Sequence, residues 1–372
     1  MTNAFQKLAV PGVQLLRPYL PGKPVAELER ELGITNSIKL ASNENPLGPS
    51  KKAVAAAQGI LNKINIYPDG GSHELRHLLA SRHGVSADCI TIGNGSNDIL
   101  ELVARAFLAP CYSAVFSEFS FAVYPIVVQA VGAEARIAAA LPADHQVMPY
   151  GHDLDAIIKQ LEPNTRVVFV ANPNNPTGTW LDKDRLEQFL AKVPDDVIVV
   201  LDEAYYEYMP DDLKPDSDAL LKRFANLLVT RTFSKIYGLA GLRVGYSISH
   251  PDVADILNRV RQPFNVNLVA QVAAVAALDD DAHLQQSIAM NNAGLMQLST
   301  GFKKLDLETI PSIANFISVH LGREAAPVYE GLLREGIIVR PVANYNLPQH
   351  LRITVGTDEQ NTRVLTALEK IL

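Results

Sequence analysis

The chain has 372 residues, 48% of them hydrophobic and 20% charged, and a formal net charge of −7. This length allows two domains, because single hydrophobic cores rarely grow beyond about 250–300 residues. The composition is that of a globular protein and excludes a disordered chain. The negative charge argues against a nucleic-acid binder or an anionic-membrane binder. Cys89 and Cys111 lie far apart without a C-x-x-C motif, which excludes a zinc ribbon and a disulfide framework.

The first 40 residues are rich in proline and glycine and predict an irregular arm with a short helix at Val25–Glu31. The stretch Met1–Gln6 has no apolar segment typical of a signal peptide. No apolar run reaches the length of about 18 residues that predicts a membrane helix. We therefore expect a cytoplasmic protein without a membrane partner.

Beyond Ser50, helical patterns alternate with short apolar runs typical of buried strands. Seven such runs separated by helix-length segments predict βαβ units and a largely parallel sheet covered by helices on both faces. The predicted strands are Cys89–Ile92, Ala114–Phe116, Glu134–Ala138, Arg166–Val170, Val197–Leu201, Asn226–Thr230 and Val244–Ser249.

After Pro251 the pattern changes to longer helices and three further β-like runs, which together predict a smaller α/β domain. The predicted helices are Val253–Arg261, Leu268–Leu278, Ala282–Leu298 and Glu324–Arg334, and the predicted strands are Asn315–Val319, Ile337–Arg340 and Leu351–Val355. The predicted division is an arm over residues 1–40 that packs with the small domain, a large domain over 41–264 and a small domain over 265–372.

Lys235 lies in a loop rich in hydroxyl groups and glycine, between Thr232 and Gly245. Such a lysine can form a Schiff base with an aldehyde cofactor once its amine is desolvated or lies near other cations. Asp202 directly follows the apolar run Val197–Leu201. A carboxylate there can keep a pyridine nitrogen protonated, which pyridoxal phosphate (PLP) needs to act as an electron sink. Ligands of open parallel sheets bind at the carboxyl ends of strands, where both residues are expected.

The polar residues near Lys235 and Asp202 in the predicted site could also have purely structural roles. Tyr205 and Asn175 could reach an oxygen on a cofactor ring, or they could serve packing and a proline-directed turn. Thr232, Ser234 and Arg243 suit a phosphate monoester. Taken singly, each residue has an ordinary structural explanation. Their combination at consistent strand ends favours a PLP site.

The turn Gly93–Asp98 lies between a predicted strand and a predicted helix. A turn of this kind presents backbone N–H groups and the positive end of a helix dipole to a phosphate. The alternative is a dinucleotide site, with Glu118 as the ribose carboxylate. Asp98, however, occupies the position where that motif requires its third glycine, which makes the dinucleotide interpretation weak.

His73-Glu74-Leu75-Arg76-His77 matches the H-E-x-x-H pattern of zinc proteases. Ser72 is the expected N-cap, so His73 would lie in the first turn of its helix and not in the middle. No further histidine or glutamate follows at the spacing of a zinc protease. We therefore interpret the match as a coincidence on a surface helix and expect no metal site.

Several stretches, in their order along nearly the whole chain, resemble the aspartate-aminotransferase superfamily of PLP enzymes and, within it, the histidinol-phosphate aminotransferase family. They are Leu16–Tyr19, Leu40–Gly48, Tyr67–Gly70, Ala171–Gly178, Asp202–Tyr205, Thr232–Arg243 and Leu351–Gly356. The resemblance implies a three-layer α/β fold of fold type I, with a seven-stranded, mostly parallel sheet and a smaller α/β domain. It implies PLP as the cofactor and a homodimer with shared active sites.

The resemblance also implies roles for individual residues. Lys235 would be the Schiff-base lysine and Asp202 the partner of the pyridine nitrogen, and Tyr205 and Asn175 would contact the ring oxygen. Phe119 would stack on the pyridine in place of the family's more common tyrosine. The residues that would hold the cofactor phosphate are Gly95, Ser96, Asn97, Thr232, Ser234 and Arg243, together with Tyr67 of the neighbouring subunit.

The implied reaction moves an amino group between histidinol phosphate and 2-oxoglutarate, giving imidazole-acetol phosphate and glutamate. Arg352 would bind the anionic group of the substrate, since a guanidinium fork suits carboxylate and phosphate alike. Tyr19, Asn45 and Arg340 would add further substrate contacts. The stretch Arg340–Pro348 departs from some family members. A broad-specificity aromatic aminotransferase therefore stays as an alternative. A threonine-phosphate decarboxylase also stays as an alternative, because that family shares the cofactor site and differs in reaction.

Overall fold

The computed structural model describes residues 4–19 and 21–372, with only the backbone of Ala4. Residues 1–3 and Leu20, which belong to the predicted arm, lie outside the described residues. The α-helices are α1 (Pro11–Gln14), α2 (Val25–Leu32), α3 (Lys51–Ile60), α4 (His73–His83), α5 (Ser96–Phe107), α6 (Val123–Ala130), α7 (Leu154–Lys159), α8 (Lys183–Leu190), α9 (Ser217–Arg223), α10 (Pro251–Val260), α11 (Leu268–Leu278), α12 (Asp281–Lys304), α13 (Ala325–Arg334) and α14 (Asp358–Ile371). The strands are β1 (Ile38–Lys39), β2 (Ile90–Gly93), β3 (Ser113–Ser117), β4 (Glu134–Ala138), β5 (Thr165–Ala171), β6 (Ile198–Asp202), β7 (Leu227–Thr232), β8 (Gly245–Ser249), β9 (Glu308–Ile310), β10 (Phe316–His320), β11 (Ile337–Ile338), β12 (Arg340–Val342) and β13 (Leu347–Thr354).

The seven predicted strands form one sheet in the order β2-β8-β7-β6-β5-β3-β4. Neighbouring strands from β7 to β4 are parallel, whereas β8 runs antiparallel to both β7 and β2. The predicted mostly parallel, seven-stranded sheet is thus confirmed. Because β8 runs in the opposite direction, its first residue lies at the edge where the parallel strands end.

Helices cover both faces of this sheet, and the alternation of side chains along β5 shows why. Val167 and Phe169 are buried against apolar residues of α5, α6 and α10. Val168 and Val170 point to the opposite face and are buried against α7 and α8. Side chains alternate between the faces of a strand, so a strand buried on both faces must be apolar throughout. This arrangement confirms the predicted three-layer α/β fold.

A second sheet of four antiparallel strands follows in the C-terminal part, in the order β12-β13-β10-β9. The single predicted strand Ile337–Arg340 is divided in the structure. Its first half, β11, pairs in parallel with β1 of the arm, and its last residue begins β12, which pairs with β13. Leu28 of α2 is buried against Leu333 and Ile338, so the arm packs on this part of the chain.

Helix α11 packs on α3 and α4, and its Ala270 and Ala274 belong to the same buried apolar cluster as Ala53 of α3 and Leu75 of α4. These contacts are with helices that precede the large sheet, although the predicted boundary assigns α11 to the small domain. The division into arm, large domain and small domain stays a prediction. No helix within the described ranges is long and apolar enough to cross a membrane.

Candidate active site

A cavity of about 350 Å³ lies at the carboxyl edge of the seven-stranded sheet. Strands β2, β5, β6 and β7 all end here, and β8 begins here. Many of the predicted site residues come together around this cavity. Its lining includes Tyr19, Ser96, Asn97, Asn175, Asp202, Tyr205, Thr232, Ser234, Lys235, Arg243 and Arg352.

Lys235 occupies the loop after β7, and its side chain is half-buried. Its Nζ donates a hydrogen bond to the carbonyl oxygen of Ser42 at 3.0 Å. Burial, reinforced by the nearby Arg352 cation, lowers the pKa of the Lys235 amine to about 7. Because an ammonium group loses hydration when it is buried, the neutral form is favoured. The structure thus gives Lys235 a nucleophilic amine near neutral pH.

Asp202 is the last residue of β6 and is 5% exposed. Its Oδ2 accepts a hydrogen bond from the Tyr124 hydroxyl at 2.9 Å. Its Oδ1 is buried and has no hydrogen-bond partner among the described residues. Burial raises the pKa of Asp202 to about 6, and the hydrogen bond from Tyr124 opposes this rise. A protonated ring nitrogen would satisfy the free oxygen.

Tyr124 is a partner of the candidate site's Asp202 that the sequence did not reveal. It is fully buried in α6, and its ring stacks on Phe169 with centroids 4.8 Å apart. The only sequence signal is a phenolic hydroxyl within the apolar run Phe121–Val128. A buried tyrosine hydroxyl needs a hydrogen-bond partner, but the sequence does not say which one.

The first turn of α5 forms one end of the cavity. Gly95 is the N-cap with φ of 86°, and Ser96 and Asn97 begin the helix. A Cβ at Gly95 would lie 2.4 Å from Nη2 of Arg243, so only glycine lets the arginine approach the turn. Nη1 of Arg243 also donates to the Ser234 hydroxyl at 3.2 Å. A helix N-terminus beside a guanidinium group and two hydroxyl side chains suits a phosphate monoester.

Two asparagines of the Ser42–Pro46 stretch have different environments. Asn43 lines the cavity, and its Nδ2 donates to the Tyr205 hydroxyl at 2.8 Å. Asn45, the predicted substrate contact, is buried and donates to the Ile236 carbonyl oxygen and to the hydroxyl of Ser287. Asn43, which the sequence interpretation did not name as a site residue, therefore lines the cavity, whereas the predicted Asn45 does not.

Arg352 of β13 also lines the cavity and is 5% exposed. Its Nη2 donates to the Ala41 carbonyl oxygen at 2.7 Å, and its Nη1 donates to Oδ1 of Asn175. Its Nε has no hydrogen-bond partner in the described part of the chain. Burial lowers the pKa of the Arg352 guanidinium. Arg340 is buried nearby, and its Cζ lies 5.4 Å from the ring centroid of Tyr19.

Phe119 and Tyr67 lie away from the cavity lining. Phe119 packs with Val342, Tyr345 and Leu347, and its ring meets Tyr150 edge-on. The phenylalanine in the described residues that lines the cavity is Phe121. Tyr67 is 79% exposed and stacks on Phe264, with centroids 4.8 Å apart.

The H-E-x-x-H segment forms the start of α4, with Ser72 at the N-cap position. Asp69, and not Ser72, caps the helix, since its Oδ2 accepts from the His73 N–H at 2.7 Å. The rings of His73 and His77 stack on each other. No group of three or more His, Cys, Asp or Glu side chains that could hold a metal ion occurs in residues 4–19 and 21–372.

These residues fit PLP as a set. The unpartnered Oδ1 of Asp202 suits the protonated pyridine nitrogen, and the tight approach of Gly95 and Arg243 leaves a cradle for the phosphate. The lowered pKa of Lys235 gives the aldehyde a neutral amine. Tyr205 and Asn175 would contact the ring oxygen between these two ends.

The model of the family described as aminotransferase class I and II matches residues 35–368. The chain is 59% identical to histidinol-phosphate aminotransferase 2 of Pseudomonas fluorescens Pf-5, covering 100% of this chain and 99% of that protein. It is also 59% identical to histidinol-phosphate aminotransferase 2 of Pseudomonas aeruginosa PAO1, covering 99% and 98%.

Among solved structures, the fold is similar to that of histidinol-phosphate aminotransferase from Sinorhizobium meliloti in complex with PLP, with a TM-score of 0.88 and 27% identity over 97% of this chain and 96% of that one. It is also similar to L-threonine-O-3-phosphate decarboxylase from Porphyromonas gingivalis, with a TM-score of 0.78 and 25% identity over 90% and 98%. The family match spans most of the chain and agrees with the geometry of the cavity. The chain therefore belongs to the aminotransferase class I and II family and is a PLP-dependent aminotransferase.

Proposed function

We propose that this aminotransferase transfers an amino group between histidinol phosphate and 2-oxoglutarate, giving imidazole-acetol phosphate and glutamate, as a cytoplasmic step of histidine biosynthesis. The names of its relatives at 59% identity support this substrate. The structural support is the pair of buried arginines, Arg340 and Arg352, beside the cavity that contains Lys235.

Histidinol phosphate carries a phosphate where an amino acid carries its carboxylate. Arg352 has an unpartnered Nε and can serve either anion. A phosphate dianion has more acceptor oxygens than a carboxylate, so it can also use Arg340 and the hydroxyl of Tyr19. Because the chain as a whole has a net charge of −7, this capture depends on local cations.

The chain's own residues then perform the proton transfers. PLP, when bound, supplies an electron sink for the electron pair left by the breaking Cα–H bond. Lys235 has a pKa near 7 and accepts this proton at its neutral Nζ. Asp202 keeps the ring nitrogen protonated through its free Oδ1. Arg352 fixes the substrate's anionic group and so orients its α-carbon towards Lys235.

Kinetics with a panel of amino donors test this function. We expect a higher kcat/KM for histidinol phosphate than for phenylalanine, with 2-oxoglutarate as the acceptor. A preference for phenylalanine would reject histidinol phosphate and favour the aromatic aminotransferase. Release of carbon dioxide from threonine phosphate, without amino transfer, would instead favour the decarboxylase.

We also propose that the active form is a homodimer. Several large apolar side chains that stand close in sequence to Tyr67 are exposed, including Leu61, Ile64 and Ile66. Phe264, which stacks on Tyr67, is 45% exposed as well. Clusters of exposed apolar residues are typical of protein interfaces. A two-fold partner would cover this surface and would receive Tyr67 at its own cofactor phosphate.

Mixing a Lys235→Ala chain with a Tyr67→Phe chain tests the shared site. If Tyr67 acts in the partner, each heterodimer has one intact site and one site with both lesions. Activity should then return to roughly half of the wild-type value per dimer by this symmetry. No recovery after confirmed subunit exchange would contradict a shared site.

A further inference from the structure

Asp98 occupies an unusual place for a carboxylate, because it lies in the first turn of the helix whose N-terminus fits the cofactor phosphate. Two like charges this close would repel each other if the carboxylate faced the phosphate. Its Oδ2 instead accepts two hydrogen bonds of 2.8 Å, from the backbone N–H of Asn94 and from Nδ2 of Asn265. Asp98 thus holds the Gly93–Ser96 turn on one side and a distant segment on the other.

Both ends of the Asn265 side-chain amide form hydrogen bonds. Besides Asp98, its Nδ2 donates to the carbonyl oxygen of Ile92 at 3.1 Å. Its Oδ1 accepts from Nη1 of Arg261 at 2.8 Å. Three hydrogen bonds to three different elements fix the backbone at this position.

The residue before Asn265 is Phe264, which has a φ of 56°. A bulky residue with this left-handed backbone is strained and persists only where its surroundings hold it. The ring of Phe264 stacks on Tyr67, and a Cβ at Gly70 would lie 3.3 Å from the same ring. Nε2 of Gln271 donates to the carbonyl oxygens of Asp69 and Val266. These hydrogen bonds are a second link between the segment that contains Tyr67 and the segment that contains Phe264.

We propose that Asp98 and Asn265 are positioning residues that tie the phosphate-binding turn of one subunit to the Tyr67–Phe264 pair which this subunit presents to its partner. The inference rests on the proposed homodimer, in which Tyr67 completes the partner's site. Each cofactor phosphate is then connected to the other through Asp98, Asn265, Phe264 and Tyr67. Loosening the connection in one subunit weakens cofactor binding in the other.

Heterodimers in which only one site carries Lys235 test this connection. One chain carries Lys235→Ala, and the two chains have different affinity tags, so that the heterodimer can be isolated and only one site is active. Asn265→Ala is then introduced either into the chain with Lys235 or into its partner. The measured quantity is the PLP concentration that half-saturates the absorbance of the Lys235 adduct, which forms only at the site that keeps Lys235.

With Asn265→Ala in the partner chain, which supplies Tyr67, this PLP concentration should rise by about ten-fold, the effect of one hydrogen bond to a charged group. With Asn265→Ala in the chain that carries Lys235, it should stay within about two-fold of the Lys235→Ala heterodimer with wild type, since the Asn94 bond to Asp98 is kept. Equal increases in both arrangements, or an increase only with the Lys235 chain, would overturn the proposal.

A control is Asp182→Ala, which removes the N-cap of α8 and touches neither Asp98 nor the residues around the phosphate. It should lower the stability and leave both PLP concentrations unchanged. The earlier mixture of Lys235→Ala and Tyr67→Phe separates the two hypotheses. If that mixture recovers activity and the Asn265→Ala effect is symmetric, the shared site stands and only the connection through Asp98 is wrong. If it does not recover, both are wrong.

Discussion

Arg340 and Arg352 face each other as paired residues of the antiparallel strands β12 and β13. Both are buried, at 9% and 5% exposure, and each guanidinium lies near an aromatic ring, Tyr19 for Arg340 and Phe316 for Arg352. Like charges directly opposite each other across two strands are destabilising. The Arg340 cation indeed adds to the effect of burial in lowering the pKa of Arg352. An anion between the two groups would relieve this cost, so the pair is well suited to a phosphate.

Single substitutions of these arginines should separate the two anionic substrates. Arg352→Ala should lower kcat/KM for histidinol phosphate and for glutamate, because both place an anion there. Arg340→Ala should lower kcat/KM for histidinol phosphate by roughly ten- to hundred-fold, which is the usual effect of losing one charge-assisted contact. It should lower kcat/KM for glutamate much less, because only the phosphate makes this contact. Arg340→Lys, which keeps the charge, is the control for folding. Equal losses for both substrates in Arg340→Ala would show a structural role.

The identity of the cofactor lysine is open to a direct chemical test. Borohydride reduction of the PLP-loaded enzyme should fix a pyridoxyl group irreversibly on one lysine. Mass spectrometry should locate it on Lys235, the lysine whose amine lines the cavity. Lys235→Ala should abolish transamination and leave the fold intact. An adduct on any other lysine would refute the assignment.

The pH dependence of cofactor capture should report the lowered pKa of Lys235. Only the neutral amine attacks the aldehyde, so the capture rate of the cofactor-free enzyme should rise with pH through about 7 and level off above it. Arg352→Met removes a cation that lowers this pKa, so the midpoint should move to higher pH. A midpoint that does not change in Arg352→Met would mean that Arg352 does not influence the amine. Stopped-flow absorbance between pH 6 and pH 10 measures both midpoints.

Two substitutions should show whether Phe121 or Phe119 stacks on the pyridine ring of PLP. Phe121→Ala should weaken PLP binding, because Phe121 lines the cavity. Phe119→Ala should instead lower the free energy of unfolding by about 3–5 kcal/mol, the usual cost of truncating a buried phenylalanine, since Phe119 is packed against Val342 and Leu347. PLP titration and urea unfolding of the two variants decide the question. Weak PLP binding in Phe119→Ala alone would restore the role implied by the family resemblance.

The position of the site at the strand ends could be predicted from the sequence because it depends on local pattern. Asp202 follows an unbroken apolar run, and such a run in an α/β chain is a buried strand with its carboxyl end at the ligand edge. The hydrogen bond from Tyr124 to Asp202 could not be predicted, because it joins residues 78 positions apart. The sequence around Tyr124 or Asp202 therefore does not indicate that the two residues form a hydrogen bond.

Two of the predicted site residues that lie off the cavity lining, Asn45 and Phe119, share a physical feature. Asn43 and Asn45 lie two positions apart, as do Phe119 and Phe121, and in each pair only one member lines the cavity. These segments are irregular, and Asn43 has a φ of 56°, so no simple period fixes which side chain faces the ligand. The roles implied for Asn45 and Phe119 therefore stay predictions, and Asn43 and Phe121 are the alternatives that the geometry offers.

The free oxygen of Asp202 leads to a prediction about both stability and turnover. Burial raises the pKa of Asp202 from the ordinary 3.8 of an aspartate to about 6, so the folded, cofactor-free chain holds the proton more tightly than the unfolded chain. The contribution of Asp202 to stability therefore decreases as the pH rises from about 4 to about 6 and is constant above this range. Asp202→Asn removes this cost and keeps an acceptor for Tyr124.

We expect the cofactor-free Asp202→Asn variant to be more stable than wild type by about 1–3 kcal/mol at pH 8, with a difference that shrinks as the pH falls towards 4. Turnover with bound PLP should fall by orders of magnitude, because the variant loses the charge that keeps the ring nitrogen protonated. Urea unfolding at several pH values and single-turnover kinetics provide the two measurements. A variant that is less stable at pH 8, or that turns over within a few-fold of wild type, would show that Asp202 is a structural carboxylate.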